Sequence, residues 1–291
     1  MGSRVAIRRP IAADRRRLAL FGLSAGGVAF TGLILWVGYQ TGQFGGGNDY
    51  SETFAGVGDT IRSGGNPYAM GFVYSPPIAL LFAAISWLPV PVANALVLGA
   101  EVLALRHIAG SWTGVGIAGW CPLLAFELPL GNLNLVLGAC IVATVRGYGW
   151  AGIAGRLIKL SPILAVRDWR GAAWGCLVAF LVTVPWLGYW PDWIRNLLTA
   201  LPAGGVGGPL VPIPFAVRAM VAVGLLLVRR PWATALACVF AIPAFHYQTL
   251  LLLIVPVAVW LRSPGLFVRK HLHRDRGDVT EAGDPRARWR G

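Results

Sequence analysis

After Arg17 the chain runs from Leu18 to Tyr39 without a charged residue, and that run dictates the solvent in which the protein folds. A helix needs about 20 apolar residues to cross the roughly 30 Å hydrocarbon core of a bilayer, and this segment supplies them. A cleavable signal peptide is the competing reading, but no small-residue cleavage site leads into a soluble domain, and further apolar runs follow. With 56% hydrophobic and 13% charged residues and a mean hydropathy of +0.64 over 291 residues, the composition is that of a lipid-embedded chain.

Beyond Pro76 the candidate spans are Pro77–Leu88, Ala93–Leu105, Val115–Leu128, Leu133–Val145, Trp150–Val166, Ala172–Tyr189, Phe215–Val228, Trp232–Ala244 and Gln248–Leu261. They are read as helices because an open chain in lipid must satisfy its backbone within each segment. Several hold only about 13 residues, roughly 20 Å of helix, short of a full crossing. The expected fold is therefore an all-α polytopic bundle of nine or ten transmembrane or half-spanning helices, some of them re-entrant, with an amphipathic helix in an outer loop. It divides into a basic N-terminus (1–17), a membrane domain (18–262) with outer loops at 41–75 and 190–214, and a basic tail (263–291).

A net charge of +13 invites a nucleic-acid partner, but the placement of the charge argues otherwise. Arg4, Arg8, Arg9 and Arg15 to Arg17 precede the first span, and Arg262, Arg269, Lys270, Arg274, Arg276, Arg286, Arg288 and Arg290 follow the last. That is the positive-inside pattern of a plasma-membrane protein with both termini cytoplasmic. The tail mixes its arginines with Asp275, Asp278, Glu281 and Asp284, has almost no apolar residues, and reads as disordered. If every run crosses, Arg106 and Arg146 fall on the outer side against the rule, which points to one re-entrant pair. Cys121, Cys140, Cys176 and Cys238 all lie in apolar stretches without metal-type spacing and read as small core residues with no disulfide.

Between the first two spans lies a polar island, NDYSETFAGVGDTIRSGGNPYAMGFVYSPP, from Asn48 to Pro77. Asp49, Glu52, Asp59 and Arg62 recur at spacings that share about one face if Tyr50–Ser63 is helical. A carboxylate there can serve as a general base, or Asp49 and Glu52 can form a capping box; the two roles are compatible. Ionisable residues within spans are costly and mark functional candidates. Arg156 and Lys159, three apart before Pro162, would share a helical face suited to a lipid phosphate, or snorkel to a headgroup layer. Asn132 and Asn134, in GNLN, suit either a sugar hydroxyl or a helix end. Glu127 reads as structural, His246 and Gln248 mark the junction of the last two runs, and Glu101 and His107 carry no strong signal. Trp190 and Trp193 suit an interfacial helix in the second outer loop, so that two outer loops close over one cavity.

In order, Asp49-Tyr50, GGNPY (64–68), F-x-Y-S-P-P (72–77), GNLN to KLSP (131–162) and IPAFHYQ (242–248) resemble the motifs of the family 87 glycosyltransferases, polyprenyl-phosphate-mannose-dependent mannosyltransferases of the GT-C class. The resemblance implies a GT-C fold and transfer of a hexose, mannose in the family, from a polyprenyl-phosphate donor to a glycan or glycolipid acceptor by inverting displacement on the outer face. By the same resemblance Asp49 is the catalytic aspartate and His246 an auxiliary group. Lys159, with Arg156, faces the donor phosphate, and Asn66 and Tyr68 shape the loop. Glu52, Asp59, Arg62, Tyr74, Asn132, Asn134 and Gln248 line the substrate side. Here Ser51-Glu52 replaces an aromatic expected after Tyr50, Asn132 stands at the glutamine of GQxN, and a histidine pair is reduced to His246-Tyr247. No cofactor is expected, and metal dependence is open. The alternatives are a non-catalytic lipid-binding paralogue and a membrane transporter or scaffold, for which short broken helices are also natural.

Overall fold

The computed structural model describes residues 9–41, 53–200, 212–243 and 245–262. Among these, the regular elements are thirteen α-helices joined by short 3-10 turns. The first helix, α1 (Arg9–Gln40), begins earlier than its apolar run and includes Arg15, Arg16 and Arg17. Then come α2 (Ala55–Arg62), α3 (Pro76–Ile85), α4 (Val90–Ala109), α5 (Trp112–Ala118), α6 (Pro122–Leu130) and α7 (Asn134–Val145). The chain continues through α8 (Gly149–Ile158), α9 (Trp169–Thr183), α10 (Tyr189–Ala200), α11 (Phe215–Leu227), α12 (Pro231–Phe240) and α13 (Ile254–Arg262).

Two helices, α1 and α4, are long and apolar enough to cross a membrane alone, and up to four spans result if each of two bent pairs counts as one. The expected span Val115–Leu128 is instead α5 and α6, bent by 103° where Trp120-Cys121-Pro122 interrupts the helix, and α9 turns into α10 by 107°. Pro122 has no N–H to extend α5 and is well suited to open α6.

Packing divides the molecule into two halves along α4. Ala93 and Val97, near its start, join Phe54, Val57, Ile61, Tyr68, Phe72, Ala79 and Phe82 in one buried cluster. Ala104, Leu105 and Ile108, near its end, join a second cluster with residues of α7, α12 and the turn that follows α12. The whole of α3 belongs to the first cluster: Phe82 stacks on Phe54 with centroids 3.9 Å apart, and Gly58 of α2 lies against Ser86. The expected span Pro77–Leu88 is thus a short helix of the loop-side half.

The segment read as the span Trp150–Val166 is a hairpin. α8 rises for ten residues, about 15 Å, and ends at Ile158. The chain then returns through a 3-10 turn, Ser161–Ala165. Pro162 packs beside Gly155, Val166 beside Gly152, and the backbone of Asp168 against Gly149, so close that a Cβ on any of the three glycines meets an atom under 3.0 Å away. Arg146 and Arg167 consequently lie at the same end of the molecule.

Further contacts collect the other arginines there. Arg262 donates to the carbonyls of His107, at 3.3 Å, and Ile108, and Arg106, His107, Arg146 and Arg262 lie within electrostatic reach of one another. Trp232 and Trp260 line one groove, which brings Arg229 and Arg230 to this end too. Gly110 caps α4 in the left-handed region (φ +79°), where its missing side chain also makes room for the Arg262 guanidinium.

Asp168 is the carboxylate that organises this end. It accepts from the backbone N–H of Gly171, at 3.0 Å, as the N-cap of α9, and from that of Gly149, at 3.3 Å. These bonds, foremost that of Gly171, hold its carboxyl below the ordinary carboxylate range. Because the folded value is the lower one, the stabilisation is complete above the ordinary pKa of about 4 and is lost as pH falls through the folded value. The thermal advantage of the wild type over Asp168→Asn in detergent should therefore be constant at neutral pH and shrink below about pH 4; a pH-independent difference would contradict this role. Gly149→Ala, which drives a Cβ to 1.8 Å from the Asp168 carbonyl oxygen, should cost at least about 1–3 kcal/mol. Gly224→Ala, with nothing within 4 Å, should be neutral or better in the same melting experiment.

Candidate functional site

At the loop-side end two sequence-distant segments are clasped by hydrogen bonds. Asn66 caps the 3-10 turn Pro67–Met70 through its Oδ1, which accepts from Tyr68 N at 2.9 Å, while its Nδ2 donates to Asp192 at 2.6 Å. Tyr68 is buried and its hydroxyl donates to the Tyr74 carbonyl at 3.1 Å. From α10, Tyr189 donates to the Gly65 carbonyl (2.8 Å), Trp193 to Val73 (2.9 Å), and Asn196 to Tyr68 (2.6 Å) and Phe72 (3.3 Å). Residues 189, 192, 193 and 196 recur at the spacing of one helix face. The loop segment 65–74 and α10 are thus hydrogen-bonded to each other, and Trp193 serves as a clamp on that loop. Trp190 donates to the Thr183 hydroxyl at 3.1 Å.

Beneath this clasp lies the tip of the α8 hairpin. Ser75, just before the two prolines, donates through its hydroxyl to the Leu157 carbonyl at 2.7 Å. Two residues on, Lys159 leaves the helix with extended backbone (φ −145°, ψ 141°). Its ammonium donates to Asn134 Oδ1 at 3.0 Å, and Asn134 Nδ2 donates to Glu127 at 3.3 Å. Asn134 and Glu127 are each 1% exposed, so charge and countercharge are joined through one buried amide. Glu127 is structural in the sense expected, and it also balances the charge of Lys159 across the amide.

The expected pairing of Arg156 with Lys159 on one helix face does not occur. The helix stops before Ser161-Pro162, as the clash of a proline ring with the preceding residue demands. Lys159 then turns inward, while Arg156, still helical, is exposed. Asp59 and Arg62 also face away from the core: they form an i,i+3 ion pair on the outside of α2, and Arg62 lies over the Trp87 ring at 5.3 Å. The buried face of α2 is Val57, Gly58 and Ile61. The α-helix proper begins at Ala55, preceded by Phe54 with helical backbone and no side-chain cap. Asp49 and Glu52, whether capping box or base, lie outside the described residues.

Tyr74 packs edge-on to Phe54 at 5.5 Å, so its ring belongs to the loop core. Asn132 is half-buried in the turn between α6 and α7. His246 and Gln248 are half-buried at the start of the 3-10 turn Tyr247–Leu253, which packs against α6 and α7, the helices that carry Glu127 and Asn134. Among the described residues no group of three His, Cys, Asp or Glu side chains gathers as a metal would require. The four cysteines are unpaired with one another, and Cys176 is exposed on α9 rather than a core residue.

Four residues carry more than their sequence signal suggested. Glu101 is 0% exposed and sits on the stripe Ala93, Val97, Glu101, Ala104, Leu105, Ile108 of α4, a spacing that betrays its burial. Asp192 and Asn196 are the loop's partners, and the common face with Trp193 was the available clue. Arg218, 4% exposed, gathers the carbonyls of Ile213, Phe240, Ile242 and Pro243. It lies over the Phe245 ring at 5.0 Å, and so fixes the turn that leads into His246.

Comparison with models of known families, with curated proteins and with solved structures returns no match. The reading of this site therefore rests on its own geometry and on the motifs of the sequence.

Asn134 is the residue on which the buried bridge depends. Asn134→Leu leaves the Glu127 carboxylate and the Lys159 ammonium without their shared partner and should cost roughly 1–3 kcal/mol. In a double-mutant cycle with Lys159→Met, the two losses should be non-additive; additive losses would contradict the bridge.

Proposed function

We propose that this protein is a membrane glycosyltransferase of GT-C type, related to the family 87 enzymes, which moves a hexose from a polyprenyl-phosphate donor to a glycan or glycolipid acceptor. One observation carries the reading. The segments GGNPY, YSPP, GNLN and KLSP, spread from Gly64 to Pro162, meet in a continuous layer through Tyr68–Tyr74, Ser75–Leu157 and Asn134–Lys159. The motif segments of the sequence are thus neighbours in space, and a lysine brought to the tip of a half-length hairpin is a costly placement in lipid.

The orientation that fits is the basic end in the cytoplasm, in keeping with the positive-inside rule. Arg106 and Arg146 then obey it, because α3 stays on the loop side and α8 returns to its starting end. The clasped loops face outward, in the plasma membrane, with Lys159 about 15 Å into a roughly 30 Å core, a depth open to a lipid-linked donor.

In this mechanism Asp49 takes the proton of the acceptor hydroxyl. The acceptor oxygen attacks the anomeric carbon as the bond to the phosphate oxygen breaks, and the phosphate leaves with the bonding pair. Lys159 balances the phosphate charge, with Asn134 and Glu127 holding it before the donor arrives. Arg156 points elsewhere and is left out of the phosphate site. One in-line step inverts the anomeric centre. The α10 clasp keeps the loop that follows Asp49 in register over the site, and His246, on the turn fixed by Arg218, has an auxiliary role.

Membranes containing the protein, supplied with radiolabelled polyprenyl-phosphate mannose and a panel of acceptors, should form a glycosidic product. Asp49→Asn should lower transfer by about 10²–10⁴-fold, and Lys159→Met should weaken donor use at an unchanged protein level. Undiminished transfer by Asp49→Asn would rule out the mechanism. Binding of the donor without transfer by the wild type would favour a lipid-binding paralogue.

A further inference from the structure

Far from the clasped loops, α12 and α13 run antiparallel and leave a groove of about 370 Å³ between them, within the range of ligand pockets. Trp232, Leu236, Leu253, Pro256, Val257 and Trp260 line it, and all are apolar. Trp232 of α12 and Trp260 of α13 both belong to that lining. Arg229 and Arg230 lie just before Trp232, and Arg262 just after Trp260, so each tryptophan of the lining has an arginine within three residues along the chain. Arg229 and Arg230 are exposed. Arg262 is held in place by the carbonyls that end α4, and Arg106 lies over the Trp112 ring at 5.7 Å. Near these arginines Asp168 is committed to the N–H groups of Gly149 and Gly171.

We propose that this groove is a binding site for a diacyl anionic phospholipid, with one acyl chain along Leu236, Leu253 and Val257 and the phosphate headgroup at Arg229, Arg230 and Arg262. Two features of the groove select this occupant. The groove offers only apolar surface over its length, which an alkyl chain covers and a polar solute does not. Its two tryptophans, the residue type that sits at headgroup level, each stand within three residues of an arginine, and basic pockets between helices at the headgroup layer hold anionic lipids. Its lining shares no residue with the Lys159–Asn134–Glu127 bridge, and the proposal does not depend on the glycosyltransferase reading.

The full chain, purified in detergent and titrated with dioleoyl phosphatidylglycerol, should retain one lipid in native mass spectra. Its affinity should exceed that for dioleoyl phosphatidylcholine by about tenfold or more. Inorganic phosphate at millimolar concentration should not displace the lipid, because the acyl chain contributes part of the binding. Arg229→Gln combined with Arg230→Gln should bring phosphatidylglycerol down to the phosphatidylcholine level without changing the helical circular-dichroism signal. Equal retention of the two lipids by the wild type would overturn the proposal, as would displacement by phosphate or an unaltered preference in the folded double variant.

Discussion

The chain from Lys159 to Asp168 returns along α8 at backbone contact, and that approach is available only because Gly149, Gly152 and Gly155 present no side chains to it. In lipid, apolar faces gain little by turning from acyl chains toward one another, so close packing of small residues has to hold elements together. The same device joins α1 to α5, where Gly27 meets Gly116 and Gly119 and Thr31 donates to the Gly119 carbonyl at 2.7 Å. The hairpin decides where everything else goes. It carries Lys159 at its tip, keeps Arg146 and Arg167 at one end, and offers the Leu157 carbonyl to Ser75 of the polar loop.

A half-buried lysine at the end of such a hairpin needs compensation, and the form of that compensation matters. Asn134 accepts from Lys159 and donates to Glu127, so the two charges attract across an amide without touching. A direct ion pair would hold the ammonium more tightly and resist any competing anion. The bridged arrangement satisfies the lysine with one neutral acceptor and leaves further donor capacity on the ammonium. It thus combines a defined resting position with donor capacity to spare.

Much of this was legible in the sequence, and the misses have physical causes. The all-helical, lipid-facing character follows from hydropathy, and α1 and α4 are long enough to be seen as crossings. GGNPY, GNLN and KLSP marked the segments that converge. Hydropathy is blind to direction: Pro77–Leu88 and Trp150–Val166 are apolar enough to be read as spans, yet one packs with the polar loop and the other turns back. The Gly-x-x-Gly-x-x-Gly spacing of α8 and Pro162 were the local signs of that return. Periodicity also placed Arg156 beside Lys159, which holds only while the helix continues, and it stops one residue before the lysine.

The clasp of α10 shows why local reading could not assemble the site. Asn66 looks like a simple turn residue, and Asp192 looks like a solvated charge paired with Arg195 three residues on. Their hydrogen bond spans 126 positions, and nothing within either segment announces it. What the sequence does encode is the face: Tyr189, Asp192, Trp193 and Asn196 are four polar-tipped side chains on one side of an otherwise amphipathic helix. A helix lying only at an interface would turn such a face to headgroups and water. Here the loop's carbonyls at Gly65, Tyr68, Phe72 and Val73 need donors once the turn is buried, and α10 supplies them. α10 is thereby a structural condition for the loop, which ties the segment after the polar island to the helix that lies over it.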